Sequence, residues 1–420
     1  MNPALSLSSL DTMEDYDPNS IRVEQARLLI RRFLHPLEDT ETISLQQALH
    51  RTLAADIASP LNVPPHNYSA MDGYALRYAD LTGDTSMLEL AGSSFAGHAF
   101  SGRVSAGKCV RIMTGALIPD GCDTVVMQEQ ARVTGDAVEF SSGHRPGQNI
   151  RRIGEDMRAG ERVLAQGQEI DPASMGLLAS LGFIEVAVFR KLKVAIFSTG
   201  DELQQPGTQL APGHIYDSNR YTLCGLLQEL GAEILDLGNV RDDPAQLKAT
   251  LLDAAGKADV IITSGGVSVG EADYIKQLLA EIGEVVFWKI AMKPGKPLAY
   301  GKIGNSHFFG LPGNPVAVMV TFQQFVSDAL RILMGQTHHP ALTFKAECAD
   351  PIRKAPGRTE FQRGILSRDE QGKMIVHSTG NQGSGILSSM TRANCFIVLP
   401  LEQGNVEAGS QVEVQPFGNL

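Results

Sequence analysis

No stretch of this sequence approaches the ~18 consecutive apolar residues that span a bilayer, and its longest apolar runs are strand-sized. Cysteine is scarce and dispersed. Cys109, Cys122, Cys224, Cys348 and Cys395 include no C-x-x-C pair, which argues against a disulfide framework and for reduced, mostly buried thiols in a reducing, cytoplasmic compartment. The ten histidines include no H-x-x-x-H, and His338 and His339 fall in a predicted loop, so no structural zinc site is expected. Positive charge is in deficit: 36 Lys and Arg face 47 Asp and Glu, a net −11 with pI near 5.4. General binding to nucleic acid or a membrane surface would favour a basic face and is therefore not expected. A locally basic pocket remains compatible with that balance. The first 20 residues hold four acidic side chains and no Lys or Arg, unlike a secretory signal, and read as a disordered lead-in.

What is present is a globular composition, 43% hydrophobic and 20% charged, in 420 residues, enough for two to four domains with their own cores. Residues 21–35 show helical spacing after Asn19–Ser20 and before Pro36. Residues 55–165 are rich in Gly, Ser, Val and Pro and read as short strands and turns. A second helix is expected from Pro172 to Leu181, with Asp171 as cap and Gly182 beyond its end. From 191 to 335 strands and helices alternate: KVAIFS, a helix from Ser218 to Leu230, AEILDL, a helix from Pro244 to Ala255, DVIIT, a helix from Glu271 to Ile282, and EVVFWKI. A hairpin (PLAYGKI and SHFFG) and a long helix from Pro315 to Met334 follow. Strands that are apolar throughout and alternate with helices predict a doubly wound, parallel α/β sheet. After Pro340, short alternating segments predict a small all-β domain.

In such a sheet ligands bind beyond the carboxyl ends of the strands. Those ends are followed by Thr199-Gly200-Asp201-Glu202, by Arg241-Asp242-Asp243, and by Ser264-Gly265-Gly266-Val267-Ser268 running on to Asp273. Next come Lys289, Lys293 and Lys296, then Pro312-Gly313-Asn314-Pro315. Each alone is equally a tight turn or a helix cap. Together they place backbone N–H groups, carboxylates and lysines on one edge, which suits a phosphorylated, magnesium-bound anion. Neither G-x-x-x-x-G-K-[ST] nor a strand-linked G-x-G-x-x-G occurs, which disfavours the common nucleotide folds. The β-rich stretch adds Asp72 between small and aromatic residues, Thr114 at a Gly turn, and Arg151, Arg152, Glu155 and Asp156 within one short segment. That last segment is also readable as a solvated turn with local ion pairs.

The strings SAMDGYA, MTGA with PDGCDTVV, NIRRIGED, STGDEL, DSN, SGGVSVGEADY, MKPGKP and GLPGNP resemble, in order, those of the MoeA family and the related gephyrin E domain, over residues 21–420. The resemblance implies a multidomain fold: a helical stalk from 21–45 and 160–190, a β-rich insertion at 46–159, an α/β molybdopterin-binding domain at 191–336 and a C-terminal β-barrel at 337–420. It implies a homodimer whose active cleft is shared between subunits. It also implies insertion of molybdate into adenylyl-molybdopterin with release of AMP, dependent on Mg²⁺. Contact with a molybdopterin adenylyltransferase and with molybdoenzyme maturation proteins is implied too. By motif, the catalytic set is Asp72, Thr114, Asp156, Glu202, Asp242 and Asp273, with the last three as metal ligands. Arg151, Ser264, Gly265, Gly266, Ser268, Lys289, Lys293, Lys296, Pro312, Asn314 and Ser384 form the substrate and oxyanion set. Arg358, Arg363 and Arg392 match a looser part of the pattern. The alternatives are adenylyl transfer to molybdopterin and a non-catalytic scaffold of gephyrin type.

Overall fold

The computed structural model describes residues 19–266, 273–338 and 340–418, without the side chains of residues 273–276 and 287. Ser268 and His339 lie outside the described residues. The chain forms two compact units, one of Ala55–Gln166 with Pro172–Glu185, the other of the remaining segments.

The first unit is built on β1 (Gly73–Leu76), β2 (Thr85–Ser94), β3 (Lys108–Ile112), β4 (Thr124–Met127), β5 (Ala131–Thr134) and β6 (Ala137–Ser141). They form one sheet in the order β4-β1-β3-β2-β6-β5. Alternation sorts the residues onto two cores: Tyr74, Leu76, Leu88, Val126, Val138 and Phe140 on one face, Ala75, Ile112 and Val125 on the other. A helix, Pro172–Ser180, completes this unit.

The second unit holds a six-stranded sheet of β7 (Lys193–Thr199), β8 (Glu233–Val240), β9 (Val260–Ser264), β10 (Gly283–Lys289), β11 (Pro297–Ile303) and β12 (Ser306–Leu311). Their order is β8-β7-β9-β12-β11-β10. β8, β7, β9 and β12 are parallel, while β11 runs against both neighbours, because the expected hairpin folds it back on β12. The sheet is therefore mixed at one edge. Its strands are apolar on both sides because both are covered. Val194, Ile196, Val260, Ile262 and Phe309 pack with Leu223 and Leu227 of the helix Ser218–Glu229. Ala195, Phe197, Ile261 and Phe308 pack with Leu247 and Leu251 of the helix Pro244–Ala255 and Leu279 of the helix Asp273–Ile282. Each such fully buried aliphatic or aromatic side chain stabilises by about 1.5–3 kcal/mol.

The N-terminal helix spans Val23–Arg32, shorter than its periodicity predicts. Ile21 is held extended instead, bridging Ile290 with its N–H on the Lys289 carbonyl, so the helix starts only after it. Val23, Ala26, Leu29 and Ile30 bury against the α/β core. The helix expected as its stalk partner, Pro172–Ser180, belongs to the other compact unit.

The long helix from Pro315 to Leu333 is continuous but not uniform: Phe322–Val326 is a π-turn. Such a turn loosens the backbone ladder. Here the Gln324 carbonyl accepts from Arg27 Nε at 3.1 Å, and Gln324 Nε2 donates to Gln415 Oε1 at 3.1 Å. By length and composition this helix is apolar enough to cross a membrane, yet Val316, Val318, Val320, Phe322, Phe325 and Leu330 lie in the core.

Beyond it, β13 (Phe344–Cys348), β14 (Thr359–Arg368), β15 (Met374–Ser378), β16 (Cys395–Leu399) and β17 (Gln411–Pro416) pair in the order β14-β15-β13-β17-β16. β16 returns to β14, closing a five-stranded barrel that leaves no open edge among its five strands. Met292–Lys293 adds to β14 in parallel, so the Lys-Pro-Gly-Lys-Pro segment is tied to the barrel.

Candidate functional site

The parallel register sets Val240, Thr199, Ser264 and Leu311 near one level, with Thr199 opposite Val240, Ser198 opposite Ser264, and Ser264 opposite Leu311. Loops leaving these ends must share one edge. Asn239 Nδ2 ties two of them, donating to the Gly200 and Leu203 carbonyls at 3.3 Å each. The Glu202 carboxylate folds back over Gly200, close enough that a Cβ there would meet it at 2.5–2.8 Å. Asp242 is exposed, while its neighbour Asp243 caps the next helix by accepting from Gln246 N at 2.8 Å. Of the adjacent pair, only Asp242 is left without a capping role.

Gly265 has φ +93°, and a Cβ there would strike the Thr199 carbonyl at 2.6 Å. Only glycine lets the chain turn this close to β7. Asn219, in the DSN string, locks this loop to the next one: its Nδ2 donates to Ser264 Oγ at 2.8 Å and to the Gly313 carbonyl at 2.7 Å. Its Oδ1 is buried with no partner among the described residues. Asp217 beside it is buried, caps the helix at Arg220 N, and accepts from Ser198 Oγ at 3.0 Å. Burial acts to lower the Arg220 pKa, but Asp236 and Asp217 outweigh it and hold the guanidinium above its ordinary value. Neither Asn219 nor Asp217 was singled out from sequence as a site residue. The run Asp217-Ser218-Asn219 next to a helix start was the available signal.

A cleft of about 350 Å³ lies in the unit that carries the α/β sheet and the barrel. Lys293, Lys296, Pro312, Asn314, Arg358 and Ser384 all line it. At its wall the Ser384 carbonyl accepts from Val316 N at 3.1 Å. The Asn314 side chain does not cap its helix, and neither Lys296 nor Arg358 has an ion-pair partner among the described residues. Lys293 Nζ stands 3.5 Å from the buried Glu360 carboxylate, whose other oxygen accepts from Gln362 Nε2 at 2.8 Å. Three cations against one carboxylate, with hydroxyl and amide groups alongside, make a cradle for an oxyanion. Lys289 is elsewhere: its Nζ donates to Asn19 Oδ1 at 3.0 Å, and it does not line the cleft. Arg363 is buried, donating to Ser389 Oγ and the Gly383 carbonyl, a structural role within the barrel. Arg392 donates to the Ser388 carbonyl of its own short helix.

In the other unit the motifs also converge. Ile150–Arg151 pairs with Tyr68–Ser69, Ser69 accepts from Gly115 N, and Ala70 donates to Asn149. The Asp72 carboxylate accepts from Thr114 N at 2.7 Å and from Thr114 Oγ1 at 2.8 Å. The backbone N–H of Thr114, then its hydroxyl, hold that carboxyl below its ordinary range. Arg111 lies over the Tyr74 ring at 5.0 Å and donates to the Gly73 carbonyl. Arg151 and Asp156 are exposed, and the Asp156 backbone N–H donates to the Val63 carbonyl at 3.0 Å. Glu155 instead closes its own turn, accepting from Arg152 N at 2.7 Å.

Among the described residues no three His, Cys, Asp or Glu side chains form a metal cage. Asp273 opens its helix, but its side chain is not among those described. Mg²⁺ commonly takes one or two carboxylates together with substrate phosphate oxygens, so Glu202 and Asp242 fit an ion that arrives with a phosphorylated ligand. All five cysteines are free, and burial pushes the Cys109, Cys122 and Cys395 thiols up to about 12.

Comparison with known proteins gives matches over three segments: the MoeA N-terminal region (domains I and II) at residues 21–182, a probable molybdopterin binding domain at 195–332, and the MoeA C-terminal region (domain IV) at 345–417. A molybdopterin molybdenumtransferase of Haemophilus influenzae is 48% identical over 95% of this chain and 99% of its own length. Gephyrin of Dictyostelium discoideum is 36% identical over 94% of this chain, which spans 62% of that longer protein. The crystal structure of a molybdopterin biosynthesis moeA protein from Pyrococcus horikoshii OT3 superposes with a TM-score of 0.84 at 31% identity, covering 95% of this chain and 100% of that one.

Proposed function

The chain belongs to the MoeA family, and from that premise we propose that it is a molybdopterin molybdenumtransferase that inserts molybdate into adenylyl-molybdopterin, giving molybdenum cofactor, AMP and water. Its place in molybdenum-cofactor biosynthesis as a transferase follows from the family. The observation that supports the finer reading is the cleft in which Lys293, Lys296 and Arg358 converge in a chain of net charge −11. Molybdate is a dianion, and an acidic protein concentrates it only where cations are clustered.

In this reading Lys293, Lys296 and Arg358 hold the oxyanion, with Asn314 and Ser384 orienting it. Arg151 contributes in the shared-cleft reading, while Lys289, tied to Asn19, stands outside the cleft. The turn at Gly265 and Gly266 receives substrate phosphate through the Gly266 N–H, the Gly265 N–H being given to the Leu311 carbonyl. Glu202, Asp242 and Asp273 are the residues that would hold Mg²⁺, which would neutralise charge on the phosphates as AMP departs. Asp72, kept ionised by Thr114, and Asp156 orient water or substrate. The reading includes a homodimer whose subunits complete one another's cleft, and a cytoplasmic location.

The test supplies adenylyl-molybdopterin, low molybdate and Mg²⁺ to the purified protein and follows AMP release together with cofactor formation. Turnover without molybdate dependence would sink the proposal, and ATP-dependent adenylation of molybdopterin would replace it with adenylyl transfer. For the shared cleft, Asp72→Asn protein is mixed with Glu202→Gln protein. Heterodimers should recover one intact site, and no recovery would refute the sharing.

A further inference from the structure

We propose that Lys354, buried in the barrel and outside the cleft, is the positioning residue that holds Arg358 in place for the anion. This rests on the oxyanion reading of the cleft given above.

Lys354 is only 6% exposed, and no carboxylate lies within ion-pair distance of it among the described residues. Its Nζ is met by three carbonyls: Gln403 at 2.7 Å, Ala355 at 3.4 Å and Leu401 at 3.5 Å. An ammonium has three N–H donors and no acceptor, so this cage satisfies its hydrogen bonding, while Glu360 and Glu402 favour its charge only from beyond ion-pair distance and burial and Arg358 oppose it. Burying an unpaired charge is costly, and an apolar side chain would fill the same space without that cost. What the ammonium adds is a fastening. It pins the start of the segment Lys354–Arg358 to the loop around Pro400–Gln403. Lys354 N donates to Asn405 Oδ1 at 3.0 Å, Gly357 N to the Leu401 carbonyl at 2.8 Å, and Thr359 N to the Ala291 carbonyl at 2.8 Å.

Arg358 is thus bracketed on both sides by anchored residues, and its own guanidinium has no ion-pair partner among the described residues. The backbone entropy of presenting Arg358 is spent on folding rather than on binding, which is how preorganisation raises affinity. If the Lys354 cage is lost, the segment regains freedom and the Arg358 contact suffers most. Lys293 and Lys296 lie on another segment, which keeps its own pairing of Met292–Lys293 with Thr359–Glu360 at the start of β14.

Isothermal titration of molybdate into the full-length protein at fixed ionic strength tests this with Lys354→Met, Arg358→Ala and the double variant. Lys354→Met should weaken binding about tenfold and Arg358→Ala about thirtyfold. The double variant should stay within about threefold of Arg358→Ala, because residues acting through one another are not additive. Affinity of Lys354→Met within about twofold of wild type, or losses that multiply in the double variant, overturns the proposal. Lys354→Gln, which keeps an N–H donor in the cage without the charge, carries the same test should Lys354→Met fail to fold: about threefold weaker binding that disappears in the Arg358→Ala background supports the clamp, and unchanged binding overturns it. Wild-type-like affinity in Arg358→Ala would overturn the reading of the cleft and this inference with it. A loss in Arg358→Ala alone overturns only the role of Lys354.

Discussion

Between pH 7.5 and pH 5 the α/β half should lose about 2 kcal/mol of stability through a single imidazole, His307. This residue is 7% exposed, on β12 in the middle of the sheet, and its ring stacks on Tyr300 at 6.3 Å with an interplanar angle of 19°. Burial chiefly, then Lys302 and His35, push its pKa down from 6.5 to about 4, against a smaller opposing effect of Asp259. A group whose folded pKa is depressed contributes stability that is fully present above its unfolded value. That stability is lost as pH falls toward the folded one. The window is therefore pH 6.5 down to about 4, and the full shift is worth about 3 kcal/mol. At pH 5 most of this has been lost, since the unfolded imidazole is almost wholly protonated and the folded one is not. The reporter is built in. The single tryptophan, Trp288, is 1% exposed and stacks on Tyr300 at 6.0 Å, so its fluorescence follows unfolding of this core in urea. His307→Phe keeps an aromatic ring beside Tyr300 and cannot titrate. Its stability should fall less between pH 7.5 and pH 5 than that of wild type, by the same ~2 kcal/mol. Parallel pH profiles for the two proteins would refute the reasoning.

Other expectations can be checked separately. Gly73→Ala places a Cβ 2.0 Å from the Val126 carbonyl, inside a sheet whose backbone has no room to yield. It should cost at least about 3 kcal/mol, read as a lowered Tm of the unit carrying Asp72, and a Tm within a degree of wild type would contradict that. Thr114→Val removes the hydroxyl donor at 2.8 Å but leaves the backbone donor, so the Asp72 carboxyl should titrate higher in carbon-detected NMR, and an unmoved titration would refute it. Lys296→Ala should weaken molybdate binding about tenfold at low salt and less at high salt, because the lost interaction is between exposed charges. A deficit independent of ionic strength would argue that Lys296 acts by shape.

The elements that could be read from the sequence are those in which one residue's neighbours in the chain decide its environment. KVAIFS and DVIIT are apolar at every position, and this alone required a sheet covered on both faces; the two cores that sandwich β7 and β9 are its consequence. Gly265, Asp243 and Asp72 stood out for the same local reason, since a tight turn, a helix start and a carboxylate among small residues leave short-range patterns. Ordered motifs then named the family, which composition and spacing could not.

Tertiary structure decided what depends on distant partners. Pairing of Ile21 with Ile290 delayed the first helix past its own periodicity. The barrel brought Arg358 and Ser384 to Lys293 and Lys296, though at least sixty residues separate them in the chain, and it turned Arg363 inward to Ser389. Lys289 matches the lysine cluster in sequence, yet the chain direction through β10 carries its ammonium to Asn19 instead. A positive charge looks the same in sequence whether it faces an anion, a carbonyl cage or water. Only the fold supplies the neighbours that tell Arg358, Lys354 and Lys289 apart.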